Sequence, residues 1–521
     1  MAGVVTVPEK TIKNIYNKIS AQGKICFLSA VIMGLAAHLY KMTGWLPNWD
    51  SLVFRYDAQN MIPLGRWFLP VVCGISSFYD LPWLNGMLAV VYHALGAVCI
   101  CRIFDVKKSV TAALIGAVVS TFPAVTSVMM YNYVADGYAF SFLLACAAVV
   151  FLTKDKPNYV IAAIMIMLSA GIYQAYVSVT IMLILMYLIN KIIFGNADAK
   201  DLAKKSAKFL VTGIAGIVLY YIAEKIMLRI TGQNAIDYQG FSSALSLSGI
   251  SIQSSLYICT HMFFGYFFDF SKEMNMFAIL NCIIFAVMLL LYVVAGVKGK
   301  SVFKISKLLL LAVCILLIPI GADILAFVNS SIDYHNLMKM GYCVVYLFFI
   351  ILYERMDFAN PKACSAKAWV ILILACGLVY NQIIIANVSY HKLQMAYEKS
   401  YGTLVRIADR IEQTENSEQC RDILVVGALS GSEPYSAELP PDMTGTTDGY
   451  ILRADNEVVG QSVLCSALND YCGKEYSFVF GERKQKLLKN SAVEEMDYWP
   501  KKNSVAVVDN VIVIKLGAES E

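Results

Sequence analysis

The feature that most constrains this chain is a succession of apolar runs of about membrane-crossing length with almost no charge inside them. They lie near residues 25–44, 82–103, 109–128, 134–153, 158–172, 176–194, 206–228, 275–297, 305–327, 337–353 and 369–387. About 20 apolar residues in helix cross the roughly 30 Å of bilayer hydrocarbon, where a backbone must satisfy its own polar groups. The fold class expected is an all-α polytopic membrane protein with about 11 transmembrane helices, followed by a small soluble α/β domain at the C-terminus. Of 521 residues, 58% are hydrophobic and 15% charged, and the mean hydropathy is +0.61. Such a composition excludes a string of soluble domains. The net charge of +4 is too small for this length to indicate a nucleic-acid partner.

Charge sorts the loops. Basic residues gather in segment 1–24, at Arg102, Lys107 and Lys108, at Lys154 and Lys156, from Lys191 to Lys208, from Lys298 to Lys307, and at Arg355, Lys362 and Lys367. Every second loop is basic, which places those loops and the N-terminus in the cytoplasm. The first run is longer than a secretory h-region and lacks a small-residue cleavage site, so it stays as a membrane helix. The membrane domain is expected over 25–387, with its larger outer loops at 45–81 and 229–274. Within them, 66–80 and the aromatic 256–270 read as interfacial or re-entrant helices, with Trp67, Phe68 and Phe78 at headgroup level.

Beyond 387 the composition turns polar. Residues 388–415 read as a helical connector and 416–521 as an extracytoplasmic α/β domain. Strands are expected at 423–426, 476–480, 504–508 and 511–514, and helices near 460–472 and 482–490. Gly427 to Ser432 reads as a plain βα turn. Most of the fourteen cysteines fall in apolar runs, where a thiol acts as a small hydrophobe. Cys420, Cys465 and Cys472 lie in the soluble part, and a pair of them could form a disulfide in an oxidising compartment. There is no P-loop and no His/Cys metal pattern.

The chemistry-bearing groups concentrate at one rim. The first outer loop runs Asn48-Trp49-Asp50-Ser51-Leu52-Val53-Phe54-Arg55-Tyr56-Asp57, followed by Gly65-Arg66-Trp67. Carboxylates at a membrane surface cost desolvation energy and tend to have a use, so Asp50 and Asp57 are the candidate catalytic acids or bases. Asn132 and Asp136, four positions apart, share a helix face; Asp136 reads equally as a helix cap or as a wall of the same cavity. Tyr173 and Gln174 occupy a tight outer turn and suit sugar hydroxyls. His335, Lys339 and Arg229 add cations or proton carriers, with Asp237 and Tyr238 in the same long loop as Arg229.

These segments carry a resemblance. The early loop acid, Gly65-Arg66-Trp67, Tyr131-Asn132 with Asp136-Gly137-Tyr138, Gly171-Ile172-Tyr173-Gln174-Ala175-Tyr176, and Tyr390, Lys392, Tyr397, Glu398 and Ser400 in the connector resemble the bacterial O-antigen serotype-converting glucosyltransferases. Those look like C-type (GT-C) membrane glycosyltransferases. The resemblance implies inverting transfer of a sugar, glucose by expectation, from a polyprenyl-phosphate carrier to a cell-envelope glycan outside the bacterial cytoplasmic membrane. It implies Asp50 at the first-loop acid, Arg66 and Trp67 in the Gly-Arg-Trp motif, and Tyr173 and Gln174 at the outer turn. Related enzymes often show adjacent acids in the first loop, whereas Ser51 follows Asp50, which leaves open whether Asp57 supplies a second carboxylate. Arg55, Arg66, Arg229, His335 or Lys339 would hold the phosphate. No cofactor is expected, and a divalent cation stays open. The rival reading is a lipid-linked-sugar flippase or transporter. It calls for mid-membrane ion pairs and internal repeats, and neither is evident. A third makes the α/β domain the working part, for which so many helices are more than an anchor needs.

Overall fold

All the apolar runs are helical, but they are unequal in length. The computed structural model describes residues 7–236, 252–269, 275–298, 304–330, 332–356, 360–429, 443, 452, 457–473 and 475–517. Helix α1 (Pro8–Lys18) precedes α2 (Ala21–Thr43), where Ser20 caps the first turn by accepting from the Gly23 amide at 3.0 Å. Short helices α3 (Trp49–Val53) and α4 (Leu69–Cys73) interrupt the first loop. Then follow α5 (Pro82–Ile103), α6 (Ser109–Thr121), α7 (Pro123–Met130), α8 (Asn132–Thr153), α9 (Tyr159–Ile172), α10 (Val177–Phe194) and α11 (Ala199–Thr231). The second half holds α12 (Ile252–Phe268), α13 (Met276–Lys298), α14 (Ile305–Ala322), α15 (Ile324–Val328), α16 (Cys343–Arg355) and α17 (Pro361–Glu412).

Among the described residues, nine helices are long and apolar enough to cross a membrane, or ten if α6 and α7, bent by 40°, form one span. Where the sequence leads one to expect about eleven crossings, the described residues thus hold nine or ten helices of that length. Pro123 opens α7 and lacks the amide that would continue α6. Helix α9 has 14 residues, about 21 Å of rise, too short to cross alone. Its run ends where Tyr173 turns extended.

One further expectation is revised. Residues 66–80 are not one interfacial helix: α4 and the 3₁₀ turn Gly74–Ser76 are separated from Trp67 by irregular backbone, and Trp67 is buried. Residues 256–268 of the aromatic segment lie in α12, whose Phe263, Tyr266 and Phe267 are buried while Tyr257 and Phe264 are exposed; Phe270 lies outside the described residues. Tyr342 receives all three buried rings, at 5.4, 4.9 and 5.6 Å between centroids.

The last span and the polar connector form one continuous helix, α17, of 52 residues. Beyond it come β1 (Asp422–Val426), α18 (Glu457–Cys472), β2 (Ser477–Phe478), α19 (Gly481–Leu488), α20 (Ser491–Glu494), β3 (Val505–Val508) and β4 (Val511–Lys515). The sheet runs β2-β1-β4-β3, with β1 parallel to β2 and β4, and β3 antiparallel to β4. Asp509 and Asn510, both at positive φ (49° and 60°), make the tight β3–β4 turn whose twist suits a hairpin. Side chains alternate between faces. Ile423, Val425, Ile512 and Ile514 pack with the end of α17, and Leu424, Val426, Val511 and Val513 pack with Leu487 and Val493. Cys420 and Cys465 are free thiols, so no disulfide joins them; the Cys472 side chain lies outside the described set.

Candidate active site

The loop between α2 and α5 is built to hold Asp50. Asn48 caps α3 by accepting from the Ser51 amide at 2.8 Å, a contribution of about 1 kcal/mol to so short a helix. Asp50 stands in its first turn, where the helix dipole favours a carboxylate. The loop then folds back on itself. Tyr56 bridges to Tyr79, the Asp57 amide donates to Phe78 at 3.1 Å, and the Asp80 amide donates to Arg55 at 2.8 Å.

Helix α8 meets this loop with four side chains in two turns. Tyr133 donates its hydroxyl to Asp50 Oδ2 at 3.2 Å, and Asn132 donates to Asp80 Oδ1 at 2.5 Å. Asn85 Nδ2 donates to Asp136 Oδ1 at 3.1 Å, and the Tyr138 hydroxyl accepts from Arg66 at 2.8 Å. Arg66 stands over the Tyr173 ring at 4.9 Å, and Tyr173 stacks on Tyr138 at 4.3 Å and 7°. Burial raises the Asp50 pKa above the usual carboxylate range, opposed by the Tyr133 hydrogen bond and the Arg66 charge. The group is therefore a stronger base than a solvated aspartate.

The Gly-Arg-Trp motif and the Gly-Ile-Tyr-Gln turn, about a hundred residues apart, are docked on each other. The Phe68 amide donates to Gly171 O at 2.8 Å, and Gln174 Nε2 donates to Leu64 O at 2.9 Å and to Tyr220 Oη at 3.1 Å. Gly65 is left-handed (φ 77°), and a Cβ there would lie 2.2 Å from Tyr220 Oη. A Cβ at Gly171 would lie 2.7 Å from the Trp67 ring. Only glycine at both positions lets these segments close.

The 3₁₀ turn Asn336–Tyr342 packs on the 3₁₀ turn Gln174–Tyr176 and on α7, bringing His335 and buried Lys339 to the same end of the bundle. Lys339 Nζ stands 5.5 Å from the Tyr266 ring. Three residues stand apart from the Asp50–Arg66 cluster. Asp57 folds onto its own loop, accepting from the Gln59 amide at 2.6 Å. Arg55 pairs with Asp470 at 2.9 Å and lies over Trp45. Arg229 is exposed in the last turn of α11, and Asp237 and Tyr238 lie outside the described residues.

Sequence reasoning missed Asp80, Asn85 and Lys41. Asp80 accepts from both Asn132 and Trp45 Nε1 (3.3 Å), and Lys41, 1% exposed, has no acceptor within hydrogen-bond reach of Nζ among the described residues. The Asp80-Leu81-Pro82 signal reads locally as a helix start, and Lys41 reads as the end of a span. The other end of the bundle carries the basic loops: the Lys107 amide donates to Glu354 Oε1 at 2.5 Å, and Lys304 pairs with Asp198 at 3.8 Å.

Residues 39–352 match the model of the family described as Glucosyl transferase GtrII. The chain belongs to that family. The match takes in the whole Asp50–Arg66 cluster, both glycine-dependent turns and His335 and Lys339, and it ends before α17 and the C-terminal sheet. No curated protein and no solved structure matches the chain. In this GtrII glucosyl transferase the cluster gathers a partly buried carboxylate, a guanidinium over a tyrosine pair, and side-chain amide and hydroxyl groups.

Proposed function

We propose that this glucosyl transferase moves glucose from a polyprenyl-phosphate carrier to a cell-envelope glycan on the outer face of the cytoplasmic membrane. Asp50 is the general base and Arg66 the cation that receives the phosphate. The observation that carries the reading is the placement of a half-buried carboxylate within electrostatic reach of Arg66 at one end of an apolar bundle, with Tyr133 and Tyr138 of α8 tying each down. A sugar hydroxyl is a weak nucleophile, and Asp50 would take its proton as it attacks the anomeric carbon. The lipid phosphate departs already charged, and Arg66 offsets the charge that develops on it. One displacement on one face inverts the anomeric configuration. Tyr56 and Tyr79, an exposed aromatic pair 4.5 Å apart, offer a surface for sugar rings. The basic loops at the far end support an orientation with the Asp50 rim outward.

The test is transfer of radiolabelled glucose from synthetic undecaprenyl-phosphate glucose to envelope glycan by the purified chain in vesicles, alongside Asp50→Asn. Transfer by the parent and its loss in a folded Asp50→Asn variant supports the reading. Movement of the lipid-linked sugar between leaflets without transfer would hand the protein to the flippase class.

A further inference from the structure

The C-terminal sheet lies outside the region that matches the family, yet it is joined to the loop that carries Asp50. Helix α3 has only five residues and cannot hold itself. It is clamped from two sides. On one side Asp50 accepts from Tyr133 of the bundle. On the other, Leu52 is 3% exposed and belongs to the hydrophobic cluster of the C-terminal unit, with Ile407, Ile411, Ile423 and Leu468. Positions 50 and 52 are about 200° apart on a helix, so one helix can serve both sides. Trp45 and Trp49 pack on the same cluster, and α18 lies against α3. Arg55, two residues past α3, pairs with Asp470 of α18 at 2.9 Å, its guanidinium 4.3 Å from the Trp45 ring. A second contact is independent of α3. Met443 is buried in the core of the membrane bundle, and Asn336, next to His335, donates to its sulfur at 3.3 Å.

We infer that the C-terminal α/β unit is a working wall of the active site, positioning Asp50 through the Leu52 packing and the Arg55–Asp470 pair. Asp470 is then a positioning residue acting through Arg55 and α3. The pair is partly exposed, so its stabilising effect is small and its use is register: it fixes where α3 stops. The apolar cluster supplies the adhesion. The inference rests on the reading of Asp50 as the base, but the docking itself can be measured without transfer.

The experiment uses the full chain with Arg55→Asp, Asp470→Arg, the milder Asp470→Asn, and the charge-swapped double variant. Hydrogen exchange of residues 48–57 is measured with kcat and donor KM for glucose transfer. Each charge-reversing single variant is expected to speed exchange in that segment and to lower kcat roughly 10- to 100-fold, as a misplaced reacting group does, with donor KM nearly unchanged. Asp470→Asn is expected to do the same more weakly, and the double variant to recover both readouts. Asp470→Arg retains the Arg55 side chain but repels it, so the charge-swapped double variant, which restores the pair without an arginine at 55, is what separates positioning from an arginine contact to phosphate. Unchanged exchange in the single variants overturns the role given to the Arg55–Asp470 pair. Faster exchange with unaltered kcat overturns the positioning, and so does a double variant that regains slow exchange without regaining kcat, which would make Arg55 a substrate contact instead. Absence of transfer by the parent chain from the offered donor counts against the functional reading, and exchange still decides the role given to the pair.

Discussion

Asp50 derives its chemistry from one hydrogen bond, one neighbouring charge and a loss of water. Its raised pKa means that the protonated, inactive form persists to higher pH than for a solvated aspartate. Glucose transfer should therefore fall as pH drops through a value above the ordinary carboxylate range, read as the acid limb of kcat/KM against pH. The Tyr133 hydrogen bond holds that value down, so Tyr133→Phe should move the limb to still higher pH. A limb at the ordinary carboxylate value, or one that moves down in Tyr133→Phe, would remove Asp50 from the base role. Asp50→Asn should lower kcat by at least about 100-fold, the usual contribution of a positioned base.

At the scale of elements, the two glycine-dependent turns decide whether the cluster exists. Gly65→Ala places a Cβ against Tyr220 and Gln174 from a left-handed backbone, and should cost about 1–3 kcal/mol. Thermal unfolding in detergent measures that loss. Gly171→Ala drives against the Trp67 ring, so tryptophan fluorescence and transfer should change together. A Gly171→Ala protein with parental fluorescence and parental kcat would mean that the turn does not set the site. Much of this was legible beforehand. The Gly-Arg-Trp and Gly-Ile-Tyr-Gln segments stood out because glycine beside aromatics at a membrane rim has few bland uses. Their docking on each other was not legible, since about a hundred residues separate them and no local pattern encodes a partner. Trp67 shows the same limit: amphipathic by type, it suited a headgroup position, and only Gly171 made room to bury it.

For the whole molecule, the two ends of the bundle differ in charge, and that asymmetry sets a testable orientation. With exposed Cys376 replaced, a cysteine at exposed Ala58 should react with an impermeant maleimide from outside intact cells, and one at Lys156 only after permeabilisation. The reverse pattern would put the Asp50 rim in the cytoplasm and end the proposed donor chemistry.

The membrane class, the positions of the helices, the strand order in the chain and the family were all in the sequence. They rest on apolar run length, on short β-branched runs and on short motifs, which are local and survive without knowledge of neighbours. The tertiary structure alone decided that α6 and α7 bend and α9 stops short. It alone joined Asp80 to Asn132, buried Lys41 at the end of its span, and turned Arg55 toward Asp470. Those are contacts between segments far apart in the chain, and a side chain's role there depends on what packing places opposite it.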